Sequence, residues 1–159
     1  VFENLPSAFS ALGLGYLVLA AWPLAKTDFL QRRLPNKYVL PAFPITLIGQ
    51  LLAIAFGDSW TRLLWALVSA TITFLLALSI NLTGLMGMGD VKLMAAISLA
   101  LGFYSPLLSA FTLAAAFLLA GVVALVLRVI RKLERGGSIP LGPYLLLGFL
   151  AGATWAVWS

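Results

Sequence analysis

Two aspartates are the residues best placed to do chemistry. Asp90 closes the run Gly87-Met88-Gly89-Asp90 ahead of Val91 and Lys92, and Asp28 lies in the polar stretch from Lys26 to Lys37. Both adjoin long apolar sequence, where a charge costs roughly 2.5–3.5 kcal/mol on insertion scales, so an acid kept there is a functional-site hypothesis. Two carboxylates brought close together do not both ionise comfortably. One keeps a proton while the other acts as base on a shared water. The water attacks an amide carbonyl, the protonated carboxyl polarises it, and the roles exchange as the C–N bond breaks. This is the chemistry of an aspartic protease, and it requires no metal, cysteine or histidine.

Each acid also has a plainer reading. Asp90 suits the first turn of a helix, where a carboxylate caps free amides and meets the positive end of the helix dipole. Gly87 and Gly89 suit an ordinary turn. Asp28 follows the first apolar segment, where the dipole disfavours an acid. Its structural alternatives are to cap a following short helix or to pair with Lys26, Arg32 or Arg33.

The elements that must hold these acids are helices in a membrane. The chain has 159 residues, 62% hydrophobic and 9% charged, with a mean hydropathy of +1.07, far from a soluble domain. One transmembrane domain over residues 1–159 fits this length. Cysteine and histidine are absent, which removes disulfides, thiolate or imidazole metal sites and Ser-His or Cys-His nucleophile pairs. No metal or cofactor is expected. A net charge of +5 reads as positive loops facing the cytoplasm rather than as a nucleic-acid surface.

Six apolar spans are expected, at about 7–25, 38–56, 60–80, 91–103, 107–127 and a last one reaching Trp158; the fourth is short, which suggests that it starts below the membrane surface or is screened by its neighbours. The first is not a convincing signal peptide, because Glu3 is the only charge ahead of it and the basic residues follow. Two loops concentrate the positive charge: Lys26 to Lys37 carries four of the ten basic residues, and Arg128, Arg131, Lys132 and Arg135 make the second. With six spans these loops and Lys92 fall on one side, together with Asp28 and Asp90. The positive-inside rule makes that side cytoplasmic, in an inner membrane, with both ends of the chain outside. Trp60, Trp155 and Trp158 then fall at the outer interface, where indoles commonly sit.

Three segments carry a resemblance. Asp28-Phe-Leu-Gln-Arg32-Arg33-Leu34-Pro35-Asn36 looks like the first motif of the type IV prepilin peptidases and their archaeal preflagellin relatives. Gly87-Met88-Gly89-Asp90-Val91-Lys92-Leu93 is similar to their GxGD signature, and Ile139-Pro140-Leu141-Gly142-Pro143-Tyr144 to a segment before the final span of bacterial members. The resemblance implies an all-α membrane bundle that removes the leader peptide from prepilin-like proteins at the cytoplasmic face, with Asp28 and Asp90 as the catalytic pair. Longer members carry a cysteine-rich zinc segment and methylate the new N-terminus. This sequence resembles the small peptidase-only members, such as those serving Flp-type pili, and methylation is not expected of it.

Further residues are assigned to binding or to shaping the site: Gly87, Gly89, Lys92, Arg32, Pro35, Asn36, Pro140, Gly142 and Pro143. Lys92 also suits snorkelling to headgroups, and Arg32 and Arg33 suit orientation and lipid binding. Pro140 and Pro143 are expected to break the entry to the last span so that irregular backbone lines the site. Asp58 and Arg62 read as an exposed helical pair. Gly148 and Gly152, with the small residues of the fifth span, read as close packing within the bundle, dimerisation being the alternative. The competing functional class is a small ion- or proton-coupled transporter or channel subunit using the same aspartates. Both acids lie toward one boundary, and no inverted repeat is evident, which argues against it.

Overall fold

The computed structural model describes residues 5–31, 34–84, 86–130 and 141–158, with the backbone alone at residue 128. These residues form α1 (Leu5–Gln31), α2 (Asn36–Val39), α3 (Ala42–Ala55), α4 (Trp60–Leu82), α5 (Met88–Gly102), α6 (Pro106–Val129) and α7 (Gly142–Trp158). No strand occurs among them. The fold is an all-α membrane bundle, as the apolar composition demands, because helices satisfy their own backbone groups in lipid.

Among the described residues, four segments rather than six are long and apolar enough to cross by length and composition: α1, α2 and α3 taken together, α4, and α6. At about 1.5 Å per residue, the 15 residues of α5 and the 17 of α7 reach only about 22 and 26 Å, against a hydrocarbon core of about 30 Å. What shortens α5 is its place in the fold. Val91 and every residue from Leu93 to Gly102 are buried, so protein rather than lipid surrounds it. By contrast, α4 buries only Leu63, Ala66 and Ala77 and turns Leu64, Leu67, Leu75, Leu76 and Leu82 outward.

Helix α1 runs further than the expected 7–25. Its 27 residues reach about 40 Å, and the last turns, from Lys26 to Gln31, carry Asp28 on helix rather than on a loop. Pro23 lies inside it and cannot donate to the preceding turn. The Thr27 hydroxyl donates to the Pro23 carbonyl at 2.6 Å, a back-bond that accompanies helix bending. The expected second span divides into α2 and α3 at Leu40-Pro41, where the proline lacks an amide hydrogen.

Polar side chains fix α5 within the bundle. Gln50, fully buried on α3, donates from Nε2 to the Leu99 carbonyl at 2.8 Å, one of the last four carbonyls that the helix itself leaves free. Ser98 shares hydrogen bonds with Thr73 of α4 at 2.8 Å and with Ser109 of α6 at 3.0 Å. At the end away from the aspartates, the Ser10 and Tyr104 hydroxyls pair at 3.0 Å, and Asp58 pairs with Arg62 at 3.0 Å across one helical turn, as expected.

The Gly148/Gly152 face packs inside the protein. A Cβ at Gly148 would lie 2.9 Å from the Thr112 carbonyl oxygen and from the Ala116 Cβ, and one at Gly152 would overlap the Thr112 hydroxyl. Small residues here let α6 and α7 approach closely, the bundle-packing reading rather than the dimer reading. Gly152→Leu is therefore expected to destabilise the bundle by about 1–3 kcal/mol through overpacking. Thermal unfolding in detergent checks this; a dimer lost with unfolding unchanged would contradict it.

Candidate active site

The ends of four elements meet at one end of the bundle: the C-terminal turn of α1 and the first turns of α2, α5 and α7. Helix direction alone brings them together, since α1 and α4 run toward this end while α3 and α5 run away from it. The turn between α4 and α5 is built by local chemistry. Gly84 adopts a φ of +77° and its amide donates to the Asn81 carbonyl at 2.9 Å, the left-handed ending of a helix that glycine allows. The Asn81 side chain then donates to the Met86 carbonyl at 2.7 Å. This sets Gly87 as the residue that caps α5 and Asp90 as the third residue of the helix.

Asp90 stands in the first turn of its helix and retains a free oxygen. Its amide donates to the Gly87 carbonyl at 3.1 Å, and its carboxylate meets the positive end of the α5 dipole. Its Oδ1 is buried without a hydrogen-bond partner among the described residues. An unpartnered buried carboxylate oxygen costs on the order of 1–3 kcal/mol, a state that folding alone does not favour. Asp28 is only 5% exposed. Its Oδ2 accepts the Gly142 amide hydrogen at 2.9 Å, so the acid that α1 places at its unfavourable end sits at the favourable end of α7. The structural alternative for Asp28 is thus realised on a helix 114 residues away rather than on the short α2.

Both acids line one cavity of about 660 Å³, with Gln31, Leu34, Pro35, Asn36, Gly87, Met88, Gly89 and Lys92 making the rest of its wall. They are near enough for the charge of Asp28 to act on Asp90. One wall is the Leu34-Pro35-Asn36 segment, against which α5 begins. A Cβ on Gly89 would come 2.8 Å from the Leu34 Cβ, so this glycine admits the protein's own chain. Gly87 is less constrained, at φ −75°, and a Cβ there would meet only Asp90 Oδ2 at 3.3 Å.

A model of the type IV leader peptidase family matches residues 8–127, and therefore both aspartates. The chain belongs to that family. No curated protein and no solved structure matches it. Membership makes the chain a leader-peptidase-like protease, a hydrolase, and its four apolar helices make it a membrane protein.

The other residues assigned from the sequence fall in different places on this family member. Pro35 and Asn36 line the cavity, and Lys92 Nζ donates to Asn36 Oδ1 at 3.2 Å in an exposed position. Lys92 therefore joins α5 to α2 across the cavity rim. Gly142 touches Asp28 directly. Pro143, one residue further and about 100° round the helix, instead lines a separate apolar groove of about 400 Å³ with Trp22, Ala25, Lys26, Phe29, Leu30. Arg32 and Pro140 lie outside the described residues.

Three cavity residues are absent from the sequence assignments: Gln31, Leu34 and Met88. Gln31 follows Asp28 by three residues and shares its helix face, a signal hidden once the first span is ended at Ala25. Leu34 shows no chemistry of its own; only its contact with Gly89 reveals it. Lys92→Ala is expected to lower the cleavage rate by less than about fivefold, since an exposed polar contact contributes roughly 0–1 kcal/mol. Steady-state cleavage in detergent checks that value.

Proposed function

We propose that this protein is an aspartic-type endopeptidase that removes the leader from prepilin-like proteins at the cytoplasmic face of the inner membrane, with Asp28 and Asp90 as its catalytic pair. The observation that carries the reading is the shared cavity: two carboxylates from distant parts of the chain face one space, and among the described residues one of them keeps a buried oxygen without a partner. A water held between them supplies the nucleophile. One carboxylate takes its proton as the water adds to the scissile carbonyl, while the protonated partner donates to the developing oxyanion. The tetrahedral intermediate then collapses as the leaving amine is protonated, and the pair returns to sharing one proton.

The surroundings suit a polar leader. Gln31, Asn36 and Lys92 supply donors and acceptors along the cavity, and an extended peptide hydrogen-bonds to such groups without requiring one sequence. Orientation follows from charge: Lys26, Lys37 and Lys92 lie at the cavity end, whereas Asp58 and Arg62 form the pair at the other. Positive residues are retained on the cytoplasmic side.

A substrate panel tests the assignment. The protein reconstituted in liposomes is incubated with a leader-bearing prepilin and with unrelated single-span proteins, and products are identified by intact mass. A single cut between polar leader and apolar segment, in the prepilin alone, is expected. Comparable cleavage of the unrelated spans would replace this reading with a broad intramembrane protease.

A further inference from the structure

The family match ends at Leu127, yet the residue that holds Asp28 lies beyond it, at the start of α7. Gly142 and Asp28 are both buried, and their hydrogen bond joins two helices that pack along each other. The contact leaves no room for a side chain: a Cβ on Gly142 would lie 2.6 Å from Asp28 Oδ2 and 3.0 Å from its Cγ. From the structure we infer that α7 is part of the catalytic apparatus, with Gly142 as a positioning residue whose amide orients the Asp28 carboxylate. The inference rests on the aspartic-peptidase reading above.

Asp28 is one turn from the C-terminal end of α1, where free carbonyls repel a carboxylate. Nothing on α1 holds its rotamer. The first amide of α7 is one that its own helix leaves unpaired, and it meets Oδ2 at the positive end of the α7 dipole. With Oδ2 fixed, Oδ1 is the atom left for water and substrate. A carboxylate free to swing would sample that geometry only part of the time, and a misplacement of about 1 Å at a reacting group costs about 100-fold in rate. Gly142 touches no reacting atom, so its effect is expected in turnover rather than in substrate binding.

Exchanging the Gly142 amide for an ester, by incorporating glycolic acid at this position, removes the N–H and adds no side chain. With the leader-bearing prepilin as substrate, kcat is expected to fall by about 10- to 100-fold while KM stays within about twofold. The matching ester at Tyr144 is the control, because among the described residues its amide donates only to the Leu141 carbonyl at 3.1 Å, inside the first turn of α7. It is expected to lower the melting temperature and leave kcat within about twofold. Gly142→Ala, which keeps the N–H but displaces Asp28, is expected to show the same loss of kcat as the Gly142 ester. A Gly142 ester with wild-type kcat, or equal kcat losses in the two esters, would overturn the role of Gly142 alone. Wild-type cleavage by Asp28→Asn would instead overturn the catalytic assignment beneath it.

Discussion

Asp28→Asn and Asp90→Asn are each expected to lower the rate of leader cleavage by about 10³-fold or more. An amide neither accepts a proton from water at neutral pH nor donates one to a leaving nitrogen, so removing one carboxylate disables the acid–base pair. Folding should survive both changes, for reasons visible in the structure. Asn at position 28 still presents an oxygen to the Gly142 amide, which donates to Asp28 at 2.9 Å. Asn at position 90 keeps the backbone bond from that residue's amide to the Gly87 carbonyl at 3.1 Å, and no ion pair is broken at either position among the described residues. The variants are checked by steady-state cleavage of prepilin alongside thermal unfolding in the same detergent. Asp28→Ala is the less informative change, since it also leaves the buried Gly142 amide without its acceptor.

Gly89→Leu is expected to cost about 100-fold in cleavage and about 1–3 kcal/mol in stability. A Cβ at this position would press on the Leu34 Cβ at 2.8 Å and on the Leu34 carbonyl oxygen at 3.3 Å. Because Asp90 is the next residue, relieving that overlap moves the start of α5 and the carboxylate with it. The rest of α5 is held by Gln50, Thr73 and Ser109, which confines the disturbance to the cavity end. Activity should therefore suffer more than folding. Leu34→Ala placed in the Gly89→Ala background opens space on the other side of the contact and should recover part of the lost rate. Parallel rates and melting curves for these variants decide it; equal losses of rate and stability would make Gly89 a plain packing residue.

Much of this site was legible in the sequence because acids are so rare in it. Five Asp and Glu residues among 159 leave few ways to build acid–base chemistry, and their neighbours separate Asp28 and Asp90 from Asp58, which pairs with Arg62 across a single turn. The burial of α5 was legible only in part. Its shortness points to a start below the membrane surface or to screening by neighbours, and the burial of Leu93 to Gly102 realises the second, but an apolar helix has the same composition whether lipid or protein surrounds it. Ending α1 at Ala25 had a similar cause, since Lys26 and Asp28 look like loop residues although the helix carries them on to Gln31. The contacts Asp28–Gly142 and Gly89–Leu34 depend on how distant segments dock, for which local pattern holds no signal. Gly142 was assigned to the site by motif; its amide as the partner of Asp28 emerged only from the fold.

That Asp28 and Asp90 work as one unit is tested most directly by the double variant Asp28→Asn/Asp90→Asn, measured beside the two single variants at enzyme excess over prepilin. If both carboxylates serve one water, losing either already removes the pathway, and all three variants should cleave at the same residual rate within about threefold. Losses that multiply in the double variant, or a single variant that keeps more than about a tenth of the wild-type rate, would contradict the shared site.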